Sequence, residues 1–119
     1  MCLFLFFITI IAFISNNFKY NHIMFFQLTE DQLAVKAAAR DFAQLELKPG
    51  VIERDTTMAY PTEQVKKMAE LGFLGIQVSP DYGGSGMDTL SYAVIMEELS
   101  KVDNSCSVIV SAHNSLACW

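Results

Sequence analysis

The sequence has few of the residues that build metal sites, disulfide frameworks or nucleic-acid interfaces. Its 119 residues include three cysteines and two histidines, and no Cys-x-x-Cys pair occurs. Neither a disulfide framework nor a zinc site is therefore indicated. Lysine and arginine number 8 against 13 acidic residues, for a net charge of −5. No basic face can neutralise phosphates, so nucleic acid is not a predicted partner. The acidic balance is typical of a soluble intracellular protein.

The length limits the chain to one domain at most. Cys2, Cys106 and Cys118 are expected to be reduced, buried thiols, because an odd count without close pairs is typical of a reducing compartment. His22 and His113 are too few for a histidine-rich metal site. His113 is predicted to be a structural histidine, since no nucleophile accompanies it in the sequence.

The first 26 residues are the main reason for an apolar fraction of 52%, which is above the usual range. Residues 1–14 (MCLFLFFITIIAFI) carry no charge. As a helix they would rise ~21 Å, less than a ~30 Å hydrocarbon core. No basic residue precedes them, as a signal peptide would require. Three interpretations remain open: a weak membrane or signal anchor, an apolar tail, and translated upstream sequence. We favour the last, with Met24 as the native start, an extension over residues 1–23 and a domain over residues 24–119.

Four helices are predicted from hydrophobic spacing and from capping residues. The first begins with a capping box made by Thr29 and Gln32, and acidic residues occupy its first turn. Its predicted span is Thr29 to about Leu47, where Pro49 and Gly50 interrupt or kink it. Residues 51–55 are expected to add a further turn, and residues 56–60 to form a connector. The others are predicted from Pro61 to Leu71 with Gly72 at the C′ position, from Thr89 to about Lys101 with Asp88 as N-cap, and from about Ser105 to the chain end.

The third helix is expected to bury a stripe formed by Leu90, Ala93 or Val94, Met96 and Leu99. Glu97 and Glu98 are candidate catalytic carboxylates. Adjacent residues on a helix point ~100° apart, so the two cannot share one substrate. We interpret them as a solvated or ion-paired face.

The stretch Pro80 to Asp88 (PDYGGSGMD) holds three of the six glycines. This density predicts backbone with positive φ, or a close approach by another group. A phosphate-binding loop is a poor match, because no Gly-Lys-Ser/Thr ending follows and no strand with Gly-x-Gly-x-x-Gly precedes it. We interpret the stretch as the connection between two helical pairs, in close approach to a further domain. Residues 73–78, just before it, are expected to form a buried extended segment.

Three apolar residues of the fourth helix, Val108, Ala112 and Leu116, lie four apart and are expected to share one face. The other side carries polar residues, namely Ser107, Ser111, Asn114 and Ser115. This composition indicates either close packing between helices or the wall of a pocket.

Four segments in order carry a resemblance to a known family: ELGFLGI at 70–76, PDYGGSGMD at 80–88, MEELS at 96–100 and HNSL at 113–116. Together they resemble the N-terminal α-helical domain of acyl-CoA dehydrogenases over about residues 27–119, and the short-chain (butyryl-CoA) branch in particular. The resemblance implies an all-α fold, the N-terminal helical bundle of that family, truncated and with a non-homologous apolar extension.

The family has three domains, holds FAD and is usually a homotetramer. In it, a glutamate removes the α-proton of an acyl-CoA substrate, hydride passes to the flavin, and electrons leave to an electron-transfer flavoprotein. The resemblance thus implies a flavoprotein oxidoreductase of fatty acid β-oxidation, cytoplasmic in a bacterium or in the mitochondrial matrix of a eukaryote. Association with a membrane is expected only if residues 1–14 anchor the chain.

The sequence departs from the family in length, since it ends inside the predicted fourth helix. We expect a fragment without a catalytic residue of its own, which neither holds FAD tightly nor turns over substrate. No cofactor-binding residue is assigned. The resemblance implies that Val108, Ala112 and Leu116 face the acyl pocket, with plain core packing as the alternative. Two competing predictions are a small helical interaction module, membrane-tethered by residues 1–14, and a helical domain that binds a partner chain.

Overall fold

The computed structural model describes residues 27–118. In this range the chain is helical and contains no strand, which confirms the all-α prediction. The extension over residues 1–23, and Met24, lie outside the described residues. The elements in order are α1 (Glu30–Phe42), a first π-helical turn (Ala43–Leu47), α2 (Val51–Thr57), α3 (Thr62–Glu70), a 3₁₀ turn (Pro80–Tyr82), α4 (Thr89–Ser100), α5 (Asn104–Ala112) and a second π-helical turn (His113–Ala117).

The N-termini of α1 and α4 are joined by side chains that cap both helices. The predicted capping box is confirmed, because Gln32 N–H donates to Thr29 Oγ1 (3.2 Å) and Thr29 N–H donates to Gln32 Oε1 (3.0 Å). Gln32 Nε2 also donates to Asp88 Oδ2 (2.8 Å). Asp88 in turn caps α4, since its Oδ1 accepts from Ser91 N–H at 2.7 Å. The two helices therefore begin side by side and run in the same direction.

The chain breaks between the first π-helical turn and α2, where Pro49 and Gly50 predict an interruption. Residues 51–55 are helical as predicted, but they belong to a separate helix. Pro49 lacks an amide hydrogen, and Gly50 has φ = 77°, which turns the backbone out of the helix. A separate α2 follows and reaches Thr57, into the predicted connector. It ends at Met58, whose φ of 54° is left-handed.

The core lies between α1, α4 and α5, with α3 contributing one residue. Phe42 and Phe73 meet edge to face with ring centroids 5.9 Å apart. The buried apolar residues are Ala39, Phe42, Ala43, Leu47, Met68, Phe73, Ile76, Ile95, Leu99, Cys106 and Val110. The predicted stripe of α4 is confirmed at Val94 and Leu99, which are buried, and at Met96, which packs against the core. It is wrong at Leu90, which is 49% exposed, and it missed Ile95, which is fully buried.

Residues 73–78, named the strap below, form turns and bends instead of the predicted extended segment. They begin after Gly72, whose φ of 78° confirms it as the C′ residue that ends α3. Their carbonyls accept from the glycine-rich stretch: Ser85 N–H donates to Gly75 O, Gly86 N–H to Val78 O and Met87 N–H to Ile76 O, each at 2.8 Å. The close approach predicted for the glycines is therefore made to this chain's own strap.

No helix between residues 27 and 118 combines the length and the apolar character needed to cross a bilayer.

Candidate functional site

The last helical segment, α5 with the second π-helical turn, has an inward and an outward face. Cys106, Val110 and Asn114 point inward and are buried. Val108, Ala112 and Leu116, named the outer face below, are exposed, with Val108 at 57% and Leu116 at 79%. The three residues predicted for the acyl pocket therefore share one apolar surface that the described part of the chain leaves uncovered.

An open cleft of about 770 Å³ adjoins the Val108 end of this surface. Val108 and Ile109 line one side of it, and α2 with the connector to α3 lines the other. Ile52, Met58 and Tyr60 on that second side are 79%, 92% and 64% exposed. Apolar side chains thus line both sides of the cleft, although Arg54, Asp55 and Asp103 also contribute to its wall. Ala112 and Leu116 continue the same face of the helix beyond it.

The start of α5 is held by a buried carboxylate. Asp103 caps the helix, because its Oδ1 accepts from Cys106 N–H at 3.1 Å. Its Oδ2 accepts from Arg54 Nη2 at 3.0 Å, and the same Arg54 nitrogen donates to Leu47 O at 2.6 Å. Burial works to raise the pKa of Asp103, but the bonds from Cys106 and Arg54 outweigh it and the pKa is lowered. Asp103 is therefore a charged anchor between α2 and α5.

The end of the segment is held by Asn114, which the sequence had placed on the polar side with three serines. Asn114 does lie on the side opposite Val108, Ala112 and Leu116, but that side faces the core, since Asn114 is 5% exposed. Its Nδ2 donates to Phe73 O (2.8 Å) and Val110 O (2.9 Å), and its Oδ1 accepts from Ile76 N–H (2.9 Å). A signal was available: Asn114 continues the spacing of four set by Cys106 and Val110.

His113 follows its prediction as a structural residue. Its Nδ1 lies 2.7 Å from Leu74 O. A carbonyl oxygen only accepts, so Nδ1 carries the hydrogen in this contact. Like Asn114, it ties the second π-helical turn to the strap.

The sequence predicts that Glu97 and Glu98 form a solvated or an ion-paired face. Both residues are ion-paired, but only Glu97 is also exposed to solvent. Glu98 is 3% exposed and accepts from Arg40 Nε and Nη2, both at 3.3 Å, and from Lys101 Nζ at 3.0 Å. The Arg40 bonds, helped by Lys101, overcome the effect of burial and lower the pKa of Glu98 to about 2. Lys101 also pairs with Glu97 at 2.8 Å. Neither carboxylate is free to act as a base.

The glycine-rich stretch does not fit the pyrophosphate of a dinucleotide. Its amide hydrogens are already used, since those of Gly84, Ser85, Gly86 and Met87 donate to carbonyls of Ser79 and the strap. A phosphate would need such amides to be free. Across residues 27–118, no cluster of three or more His, Cys, Asp or Glu side chains is arranged to hold a metal ion.

Comparisons with known proteins agree on one family. A family model described as "Acyl-CoA dehydrogenase, N-terminal domain" matches residues 29–119. The short-chain specific acyl-CoA dehydrogenase of Clostridium acetobutylicum is 50% identical over 93 residues, which are 78% of this chain and 24% of that protein. The mitochondrial short-chain enzyme of Mus musculus is 41% identical over 90 residues, 76% of this chain and 22% of that protein.

Solved structures give the same result. The butyryl-CoA dehydrogenase of Megasphaera elsdenii superposes with a TM-score of 0.68 at 38% identity, over 73% of this chain and 24% of that one. A chain from a structure whose description names the electron transferring flavoprotein of Acidaminococcus fermentans superposes with a TM-score of 0.70 at 46% identity. The superposition covers 73% of this chain and 23% of that one. The chain spans about a quarter of the length of the curated relatives that it matches.

Proposed function

Because the chain belongs to the acyl-CoA dehydrogenase family, whose N-terminal domain it carries, we propose that it serves as the helical domain of a flavin-dependent enzyme. The proposed reaction is the α,β-dehydrogenation of short-chain acyl-CoA thioesters. It is a proposal about the whole enzyme, since the chain matches about a quarter of its relatives' length. The names of the relatives support the acyl-CoA substrate and the short-chain preference.

The observation that carries the proposal is the apolar outer face on a helix held at both ends. Asp103 anchors the start of α5 and Asn114 anchors the end, and both are buried. On the face opposite Asn114, Val108, Ala112 and Leu116 present hydrocarbon to the outside. A saturated acyl chain offers only hydrocarbon to recognise, so it is matched by such a surface. We propose that these three residues line the acyl pocket.

The catalytic base and the flavin are proposed to lie outside this domain. Glu97 and Glu98 are ion-paired, and the amides of the glycine-rich stretch are used within the chain. When bound, FAD would supply the hydride acceptor. This domain would contribute hydrocarbon contacts and exclude water from the thioester, which lets the rest of the enzyme polarise its carbonyl. We therefore propose that residues 1–119 alone neither hold FAD tightly nor turn over acyl-CoA.

The proposed partners are an electron-transfer flavoprotein and further copies of the enzyme in a homotetramer. The description of one similar structure names an electron transferring flavoprotein, which supports the first. The proposed domain begins at residue 24, after an extension over residues 1–23, and the family match begins inside it, at residue 29. The proposed location is the cytoplasm if the protein is bacterial and the mitochondrial matrix if it is eukaryotic, because similar proteins occur in bacteria and in mitochondria.

A hybrid enzyme tests the proposal. Residues 29–118 would replace the matching residues of the Clostridium acetobutylicum enzyme, and kcat/KM would be measured with butyryl-, hexanoyl- and octanoyl-CoA. In this hybrid, Ala112→Leu adds volume to the proposed pocket. We expect the preference for butyryl-CoA over octanoyl-CoA to rise about tenfold or more, because methylene groups lose their space one by one.

The matched control is Ala93→Leu, the same substitution at an exposed position of α4. It should leave the chain-length profile unchanged. A profile that Ala112→Leu shifts no more than Ala93→Leu does would overturn the pocket assignment. A hybrid that folds, binds FAD and shows no dehydrogenase activity would overturn the proposed function.

A further inference from the structure

We infer that Asn114 is a positioning residue for acyl-chain selectivity. Through the strap it sets the rotation of the helix end that presents Ala112 and Leu116. The inference rests on the proposed function of the outer face, and it assigns a role to a buried side chain that has no contact with the substrate in that proposal.

The first step is that Asn114 makes a complete and unambiguous set of bonds. Two carbonyls, Phe73 O and Val110 O, lie within 2.9 Å of Nδ2, and one amide, Ile76 N–H, donates to Oδ1. Only one orientation of the side-chain amide satisfies all three. Because Asn114 is 5% exposed, water cannot replace these partners at low cost. The side chain therefore has a single favourable position.

The second step is that two of the three partners of Asn114 belong to the strap, while the third, Val110 O, lies on α5 itself. Phe73 and Ile76 are strap residues with side chains in the core. The strap is bonded along its length to the glycine-rich stretch by three 2.8 Å backbone bonds. Ser85 Oγ adds a bond to Gly72 O at 3.1 Å. Asn114 is thus bonded to a framework that continues into α3 and α4. In this inference, the function of the glycine-rich stretch is to hold the strap in place.

The third step connects this bond set to the outer face. Residues two positions apart on an α-helix point ~200° apart, and the wider π-helical turn changes this only modestly. Asn114 lies two positions from Ala112 and two from Leu116. When Asn114 is held inward, both of these residues are directed outward. The other contacts at this end, from His113 and Cys118 to Leu74 O, are made by exposed side chains.

The alternative is that Asn114 contributes to stability alone. Gln32→Ala separates the two roles. Gln32 is also a buried amide, at 7% exposure, and it bonds across two elements to Thr29 and Asp88. Its loss should cost stability of a similar size. Its bonds go to Thr29 and Asp88, one residue beyond the Met87 amide that donates to Ile76 O, so Gln32 makes no direct bond to the strap.

The first measurement uses the full 119-residue chain and amide hydrogen exchange. Asn114→Ala should speed exchange at Ile76 by about tenfold or more relative to core amides of α4, because the bond that protects this amide is gone. Gln32→Ala should not change that ratio. An Ile76 amide that stays equally protected in Asn114→Ala would show that the strap does not depend on Asn114, and would overturn the inference.

The second measurement uses the hybrid enzyme described above. We expect Asn114→Ala to lower the preference for butyryl-CoA over octanoyl-CoA by about tenfold, since a displacement of ~1 Å is enough for effects of this size. If the alanine variant does not fold, Asn114→Ser is measured in its place. Its hydroxyl can still donate to Val110 O but is too short to reach Phe73 O and Ile76 N–H, so the preference should shift in the same direction.

The outcomes separate the two proposals. If Ala112→Leu shifts the profile and both Asn114 variants leave it within twofold of the parent, only the positioning role fails. If Gln32→Ala shifts selectivity as much as Asn114→Ala, the effect is general loosening and the positioning role fails. If Ala112→Leu has no effect, the assignment of the outer face to the acyl pocket is refuted, and the positioning role of Asn114 is refuted with it.

Discussion

Glu98 is the residue with the largest conflict between its chemistry and its position. A carboxylate at 3% exposure would be costly unless it is paired. Arg40 contributes two nitrogens, and Lys36 and Lys101 lie 3.6 Å and 3.0 Å away. Three cations around one carboxylate join α1 to the end of α4. This cluster, instead of a catalytic role, accounts for an acidic pair inside a helix.

Glu98→Gln should destabilise the chain by about 2 kcal/mol at pH 7. The pKa of Glu98 falls from 4.5 to about 2 on folding, so its contribution is present above pH 4.5 and is lost as the pH falls towards 2. The variant and the parent should therefore converge in acid. Urea unfolding between pH 7 and pH 2.5 measures this. Glu63→Gln is the control, because its pair with Lys66 is largely exposed and should contribute under about 1 kcal/mol. A difference that stays constant from pH 7 to pH 2.5 would contradict the assignment.

The cysteines should differ in reactivity. The expectation that all are buried is wrong for Cys118, which is exposed, while Cys106 is fully buried. Burial, followed by the bond to Asp103, raises the pKa of Cys106 to about 12. Because the thiolate is the reactive form, iodoacetamide at neutral pH should label Cys118 at least ~100-fold faster than it labels Cys106. Peptide mapping by mass spectrometry distinguishes the sites, and unfolding in urea should remove the difference. Equal labelling of the folded chain would count against the burial of Cys106.

At the scale of elements, the contact between the glycine-rich stretch and the strap depends on Gly84. A Cβ there would overlap the carbonyl oxygen and the Cβ of Val78. Gly83, its neighbour, has open space around it but a φ of 82°. The two glycines are thus required for different reasons, close approach for Gly84 and backbone conformation for Gly83.

Gly84→Ala should therefore cost more stability than Gly83→Ala. We expect about 1 kcal/mol for Gly83→Ala, from the left-handed backbone. For Gly84→Ala we expect at least about 2 kcal/mol more, because the strap must shift away from the loop. Chemical unfolding of both variants provides the comparison. Equal costs would mean that the strap moves freely, which would also weaken the framework inferred for Asn114.

The elements show how helix ends could be predicted from local residues. Thr29 and Asp88 cap helices as their sequence positions indicated, and Gly72 ends α3. The faces of the helices were predicted less well. Leu90 is about half exposed and Glu98 is buried, because the rotation of α4 is decided by Arg40 and the core of α1. Arg40 and Glu98 are 58 residues apart in sequence.

At the scale of the molecule, the outer face and the cleft leave apolar side chains in water. Such a surface favours association. The double substitution Val108→Lys with Leu116→Lys should reduce self-association of the 119-residue chain in sedimentation velocity. Its melting temperature should change little, since both positions are exposed. The control adds the same charge on the same helix, by Ser105→Lys with Ser115→Lys at exposed polar positions.

If the control reduces association as much as the outer-face variant does, net charge and not the apolar face is responsible. If neither variant has an effect, the outer face is not the surface through which copies of the chain meet.

The sequence by itself determined the all-α class, the ends of most helices and the family, because caps, glycines and short segments act through residues a few positions apart. Only the tertiary structure decided which side chains are buried. Asn114 reaches Phe73 across 41 residues, and Ile76 across 38. Such bonds depend on how α5 and the strap pack together, which no local pattern specifies. The three residues of the outer face have the spacing of a core stripe. They lie at the surface because Cys106, Val110 and Asn114, on the opposite face of the helix, are buried in the core.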